Sequence, residues 1–255
     1  MRCNRCDSKI ANMPTITSET NAFFTHTWSV YDLITEHNYM SHREIYAKVC
    51  DLLQLRRTRG QYRLLDLGCG NARFLAPGVV RFPPSYYQGV DLSDTALEEA
   101  RIYLAKLPCP FELTHRDLLE AMEQTDEVWD VIFTGFALHH LATEEKARFF
   151  QAAGGSLSDN GWLLMVDVVR EENQSREDFL AGYLTDMRER WTQIPADQLE
   201  TVCAHVAAYD HPECLSVLQE IAKAAGLSNS LVVSRYGQHH AILFSRNALS
   251  DIKTP

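Results

Sequence analysis

The chain has 255 residues, 45% of them hydrophobic, enough to bury a substantial core without disulfide or metal staples. Its formal charge of -10 argues against a broad phosphate-binding surface, so a small molecule rather than nucleic acid is the expected partner. The 7 cysteines are odd in number and widely spaced, which excludes a disulfide framework and points to a reducing compartment, the cytoplasm.

Residues 1–19 are polar, contain Pro14 and show no sustained period, so they read as a flexible lead. They lack the apolar stretch of a signal peptide, and no later segment is apolar enough for a bilayer; neither secretion nor a membrane is expected. Residues 20–60 form an N-terminal helical cap. Phe23, Phe24, Trp28 and Tyr31 recur every three or four residues, as on an amphipathic helix reaching Ile34. Ser41 and Glu44 have capping-box spacing for a second helix through Ile45, Val49, Leu52 and Leu53 to the stop at Arg59-Gly60.

Residues 61–255 alternate strand and helix. Tyr62–Leu67 is the first strand, followed by a glycine turn and a helix from near Ala72; Tyr86–Val90 is the second, with a helix over Thr95–Lys106 ended by Leu107-Pro108. Phe111–His115 and Val128–Thr134 are the third and fourth strands. After a helix over Thr143–Ala153, the Asp159-Asn160-Gly161 turn leads into Trp162–Val166, the fifth. This order predicts an α/β fold with a doubly wound, Rossmann-like parallel sheet. Residues 168–212 interrupt it with two helices, Phe179–Trp191 and one starting at Pro195, which read as a lid inserted after strand five. The core resumes with a helix over Cys214–Ala225, stopped by Gly226, and strands Leu231–Ser234 and Ala241–Ser245 around Tyr236-Gly237-Gln238.

In open parallel sheets ligands bind beyond the carboxyl ends of the strands. Asp66, Gly68 and Gly70 fall at that edge, where glycine permits close approach of the backbone to a ligand. Asp91 ends the second strand, where a carboxylate can accept both hydroxyls of a ribose. An ordinary strand-to-helix turn with a solvated aspartate is the alternative. A dinucleotide oxidoreductase would carry a third glycine where this chain has Arg73.

Leu65-Asp66-Leu67-Gly68-Cys69-Gly70 resembles the signature of class I S-adenosylmethionine-dependent methyltransferases. The resemblance continues in order through Asp91, Arg116-Asp117-Leu118, Phe136-Ala137-Leu138-His139-His140-Leu141 and Gly161-Trp162-Leu163-Leu164. It implies a seven-stranded sheet with an antiparallel edge hairpin, S-adenosyl-L-methionine as cofactor and S-adenosyl-L-homocysteine as product. It further implies that Asp66 orients the amino or methionyl end through the turn, Gly68 and Gly70 make room for it, Asp91 binds the ribose hydroxyls, Leu92 packs on the adenine, and Asp117 meets the adenine amino group with Leu118 alongside. Thr134, Gly135 and Phe136 then face the methionyl part. Read without the resemblance, Asp117 ends the polar break Thr114-His115-Arg116-Asp117, which suits an adenine contact, the alternative being an ion pair with Arg116 or a helix cap.

Methyl transfer from a sulfonium is an in-line substitution that orientation and exclusion of water can drive, so no metal is expected. Cys3 and Cys6 supply only two ligands between them. His139 or His140 can take a proton from an acceptor, the alternative being a hydrogen-bonded loop pair. Asp167 either orients an acceptor or caps a helix or pairs with Arg170, and His211, in Tyr209-Asp210-His211, is a base candidate or part of an entry turn. For the acceptor pocket the candidates are Tyr31, Tyr39 and His42 from the cap and Tyr183, Arg188, Trp191 and Tyr209 from the lid. Tyr236 and His239 from the last hairpin complete the set. The expected function is methylation of an enclosed small molecule; RNA or protein methylation, and a noncatalytic cofactor-binding scaffold, are the alternatives. Oligomeric state is left open.

Overall fold

A computed structural model describes residues 30–249 and 252. The 1–19 lead, Cys3, Cys6 and the first part of the aromatic stripe, Phe23 to Trp28, lie outside the described residues. Helix α1 occupies residues 30–36, and α2 is His42–Thr58. The core then runs β1 (Arg63–Leu67), α3 (Ala76–Arg81), β2 (Tyr86–Asp91), α4 (Asp94–Tyr103), β3 (Phe111–His115), α5 (Leu118–Glu123), β4 (Trp129–Gly135), α6 (Thr143–Ser156) and β5 (Leu157–Arg170). Helices α7 (Arg176–Arg190) and α8 (Ala196–Tyr209) form the insertion, and β6 (Glu213–Cys214), α9 (Leu215–Ala224), β7 (Asn229–Tyr236) and β8 (His239–Ser245) close the fold.

The main sheet has the order β3-β2-β1-β4-β5-β8-β7. Strands β1 to β5 pair in parallel, while β8 is antiparallel to both β5 and β7. The two-residue β6 adds to the end of β5. Strand order reverses between β1 and β4, so the carboxyl ends of β1, β2 and β4 open on one crevice, as such sheets require.

The strands read as continuous apolar runs because both faces are covered. Leu65, Leu67, Ile132, Leu163 and Met165 pack with Met122, Phe149, Phe150 and Leu218 of α5, α6 and α9. Their alternates Leu64, Val131, Phe133, Leu164 and Val166 pack with Ile45, Val49, Leu53 and Val79 of α2 and α3. A third cluster joins Val30 and Ile34 of α1 to Phe179, Tyr183, Met187 and Trp191 of α7 and Leu199 and Val202 of α8. The apolar face of α7 thus seats the insertion against α1.

Several boundaries differ from the sequence reading. Ser41 does precede α2, but it is in the left-handed region (φ 55) and makes no side-chain cap bond. Asn38 ties the joint instead: its Oδ1 accepts from Arg43 N (3.0 Å) and its Nδ2 donates to Glu44 (2.7 Å). The helix expected from Ala72 starts only at Ala76, because Ala72 is itself left-handed (φ 57) and extends the turn. Helix α5 was not foreseen, and Asp159-Asn160-Gly161 is absorbed into β5 where its register with β4 breaks between Trp129 and Val131. Asp167 therefore sits inside β5 rather than at its end.

Candidate active site

At the carboxyl ends of β1, β2 and β4 lies a cleft of about 240 Å³. Asp66, Gly68, Gly70, Asp91, Leu92, Asp117, Leu118, Gly135 and Phe136 all line it. Thr134 does not: strand alternation puts Phe133 and Gly135 on the cleft side of β4 and turns Thr134, fully buried, to the opposite face.

The glycine turn has the backbone its sequence requires. Gly68 and Gly70 have φ of 70 and 51, and a Cβ on Gly68 would come within 2.6 Å of Ala137 Cβ. The amides of Gly68 and Cys69 both donate to Val90 O, at 2.9 and 3.0 Å, which fastens the turn to the end of β2. Asp91 Oδ2 accepts from Gly70 N (2.7 Å) and Oδ1 from Ser93 N (2.9 Å), and the Leu92 amide also supports the carboxylate. Ser93 then caps α4 by accepting from Ala96 N. Asp117 caps α5, its Oδ1 accepting from Leu119 N and Glu120 N at 2.9 and 3.0 Å, so a cap and a cleft-wall residue are one and the same.

Asp66 is 1% exposed; its Oδ2 accepts from the Tyr87 hydroxyl at 2.6 Å, while Oδ1 has no hydrogen-bond partner among the described residues. Burial, opposed by the Tyr87 bond and reinforced by Asp91, pushes its pKa up to about 7. A buried carboxylate oxygen left unpaired in a cleft is costly by itself and suits a cationic ligand group.

The cleft's other end is aromatic. Tyr31, Tyr46, Phe74 and Phe136 line it, and Phe136 is held left-handed (φ 55), a strained geometry for a large side chain that is common at ligand sites. His42 packs behind them, its ring centroid 4.7 Å from those of both Phe74 and Phe136, with Nε2 3.2 Å from the Tyr31 hydroxyl. Burial drives the His42 pKa down to about 3, so it is neutral. Arg73, at the third-glycine position, reaches across to Asp32 of α1 at 2.5 Å and clasps the cap to the turn. Residues 71–75 were not singled out as cleft residues because a helix was expected there; Ala72's left-handed backbone turns Asn71, Arg73 and Phe74 toward the cleft instead.

Behind the cleft a buried polar cluster gathers residues far apart in sequence. His139 Nδ1 lies 2.5 Å from Asp167 Oδ1, and Asp167 Oδ2 accepts from His139 N at 3.0 Å. Asp210 faces both histidines, its Oδ2 3.8 Å from His139 Nε2 and its Oδ1 3.4 Å from His140 Nδ1. Burial alone would lower the His139 pKa, but Asp167 and then Asp210 hold it up at about 9. His140, which lines the cleft, is lowered by burial and by His139. Asp167 neither caps a helix nor pairs with Arg170, whose guanidinium goes to Glu213 at 3.1 Å. His211 contributes backbone: its N donates to His139 O (2.6 Å) and its O accepts from Lys146 Nζ (2.6 Å).

The acceptor candidates divide. Tyr31 lines the cleft; His239 packs edge-on to Phe136 at 5.8 Å and bonds the Tyr183 hydroxyl at 3.0 Å, placing both one layer back. Tyr39 and Trp191 stack on each other at 5.3 Å and fasten α1 to α7 away from the cleft. Arg188 is on the surface in a two-bond pair with Glu200 at 2.7 and 2.9 Å, because its helix turns its apolar face inward and its charges outward. Tyr209 packs against His205 (4.9 Å), and Tyr236 against the first core layer.

A family model described as "Methyltransferase domain" matches residues 64–161. An uncharacterized methyltransferase of Staphylococcus carnosus is 36% identical over 58 residues, 23% of this chain and 28% of that protein. The chain thus matches little more than a quarter of that curated relative's length. Among solved structures, magnesium protoporphyrin IX methyltransferase from Synechocystis with bound S-adenosylhomocysteine superposes with a TM-score of 0.61 at 14% identity, over 91% of this chain and 100% of that one. A putative O-methyltransferase from Nostoc punctiforme gives 0.59 at 14%, over 93% and 64%. The apo S-adenosylmethionine-dependent methyltransferase SibL gives 0.53 at 17%, over 77% and 54%. At these identities the structural likeness is one of fold.

Proposed function

We propose that this chain, whose residues 64–161 match a methyltransferase domain, belongs to the class I S-adenosylmethionine-dependent methyltransferase superfamily and transfers a methyl group to a small organic acceptor enclosed in the cleft. The observation that carries the reading is the unpaired Oδ1 of Asp66, buried in a cleft that Asp91, Gly68 and Gly70 also line.

These residues fit S-adenosylmethionine. Asp66 would take its ammonium group, Gly68 and Gly70 would let its methionyl chain approach the turn, Asp91 would accept its ribose hydroxyls, and Leu92, Asp117 and Leu118 would border its adenine. When bound, it supplies an electrophilic sulfonium methyl. Tyr31, Tyr46, Phe74 and Phe136 offer an apolar, aromatic surface for the acceptor, and the Arg73–Asp32 clasp keeps α1 over it, which excludes water. Of the proton-handling candidates only His140 belongs to the cleft wall; it accepts the acceptor's proton, while His139 and Asp167 are positioning residues behind it. His211 serves through its backbone. The small aromatic enclosure and the -10 charge favour a metabolite over RNA or protein.

Calorimetry with S-adenosylmethionine and S-adenosylhomocysteine, on the native chain and a folded Asp91→Ala variant, tests the cofactor reading. Specific binding lost in the variant supports it, and an acceptor screen by mass follows. Absence of binding by folded native protein refutes it.

A further inference from the structure

We infer that Arg73 is the residue that reads the carboxylate of the cofactor's methionyl end, and that it makes the cleft selective for nucleosides that keep their whole amino-acid group. This role rests on the proposal that the cleft holds S-adenosylmethionine. An α-amino acid carries an ammonium and a carboxylate on one carbon, and Asp66 answers only the first.

The rest of the cleft is unfavourable to an anion. Asp66, Asp91 and Asp117 line it, so a ligand carboxylate brought in without a cation meets like charge. Among the described residues that line the cleft, the cationic side chains are Arg73 and Arg116, His140 being held neutral by burial and by His139. Arg116 is exposed and follows β3, two places from β1 in the sheet, beside Asp117 at the adenine end. Arg73 lies in the turn after β1, the strand that carries Asp66. The turn itself is not an anion nest, because its amides are already bonded: Gly68 and Cys69 to Val90 O, Gly70 to Asp91, Ala72 to Cys69 O and Arg73 to Asn71 Oδ1.

The guanidinium is fixed with one edge to spare. Its Nη1 donates to Asp32 at 2.5 Å and its Cζ lies 5.0 Å from the Phe74 ring centroid, while Nε and Nη2 have no hydrogen-bond partner among the described residues. That is the edge Arg188 presents to Glu200, with two bonds at 2.7 and 2.9 Å, and it matches a carboxylate with two parallel N–H donors. The clasp to Asp32 therefore orders Arg73 without using up its fork. Its charge is felt on the cleft wall: burial pushes the Tyr31 hydroxyl up to about 12, and Arg73 opposes that rise. The departure from a third glycine at this position thus supplies the charge that the amino-acid end of the cofactor requires and that a glycine would lack.

The test is calorimetric binding of S-adenosylmethionine and of decarboxylated S-adenosylmethionine, which differ only in the carboxylate, to the full-length chain. The native chain should hold S-adenosylmethionine about 10- to 100-fold more tightly, the worth of charge-assisted hydrogen bonds. Arg73→Gln should weaken S-adenosylmethionine by that factor and leave the decarboxylated form unchanged, bringing the ratio near one. Arg73→Lys, which keeps the charge but not the fork, should give an intermediate ratio. Asp32→Asn breaks the clasp but keeps the guanidinium, and should preserve the native ratio. Circular dichroism and thermal unfolding verify that each variant is folded, as loss of a partly exposed ion pair allows. A ratio near one in the native chain overturns the proposal, as does a ratio that survives in folded Arg73→Gln or collapses equally in Asp32→Asn. A folded native chain that binds neither ligand, nor S-adenosylhomocysteine, overturns the cofactor reading as well, and is distinct from binding without a preference for the carboxylate.

Discussion

Replacing Asp66 by asparagine should stabilise the ligand-free protein and weaken its cofactor binding. The native carboxyl has its pKa raised from 3.8 to about 7, with burial the main cause. For an acid raised on folding, the folded state holds the proton longer than the unfolded chain does. Stability is therefore highest below about pH 3.8 as far as this group is concerned, falls as pH rises through the window to about 7, and is level above it. At about 1.4 kcal/mol per pKa unit, the difference between 3.8 and about 7 corresponds to a penalty on the order of 4 kcal/mol at pH 8. Asparagine carries no charge and can still accept from the Tyr87 hydroxyl, so Asp66→Asn removes most of that penalty. Urea unfolding of both proteins between pH 4 and 8 should show the variant gaining on the native chain as pH rises. Adding S-adenosylhomocysteine should reverse the advantage, because its ammonium stabilises the ionised native carboxylate. Parallel pH profiles for the two proteins would refute the reasoning, since they would mean that the buried carboxyl is not desolvated as its geometry indicates.

Four further outcomes are expected. Asp91→Asn replaces one acceptor oxygen by an NH2 donor, so either the Gly70 or the Ser93 amide loses its partner, and it removes the charge offered to the ribose; calorimetry should give about 10- to 100-fold weaker S-adenosylhomocysteine binding. Gly68→Ala forces a side chain onto a left-handed residue and against Ala137, and thermal unfolding should report a loss of about 1–3 kcal/mol. On α6, Gly154→Ala and Gly155→Ala should differ in sign: a Cβ at Gly154 runs into the Ala225 carbonyl oxygen, whereas at Gly155 it meets open space and should add about 0.5–1 kcal/mol of helix stability, measured by denaturant midpoints. Arg188→Ala, which breaks only a surface pair with Glu200, should leave the acceptor KM unchanged; a raised KM would bring Arg188 back to the acceptor site.

The order of elements, the glycine turn and the acid at the end of β2 were legible because each rests on local chemistry: apolar strands, positive φ at Gly68 and Gly70, and a carboxylate where a strand stops. Local chemistry failed where a residue's conformation answered to a distant neighbour. Ala72 carries no sign of a left-handed backbone, yet its turn delays α3 and places Arg73 opposite Asp32. Ser41 and Glu44 had the right spacing for a cap, but a tight joint at residues 36–41 gave the bonds to Asn38. Thr134 illustrates a smaller error, since a period of two decides which β4 residues see the cleft once one of them is placed.

What the sequence by itself determined was the α/β order and the glycine turn at the strand ends, because hydrophobic period and glycine placement act over a few residues. What only the tertiary structure decided was who meets whom across long separations. Asp167 on β5, His139 after β4 and Asp210 beyond α8 converge behind the cleft, whereas Arg188 turns away to Glu200. Polar side chains that the sequence offered alike as site candidates were thus assigned opposite roles by burial, because a buried carboxylate or imidazole must find a partner inside and a surface guanidinium is satisfied by its neighbour and by water.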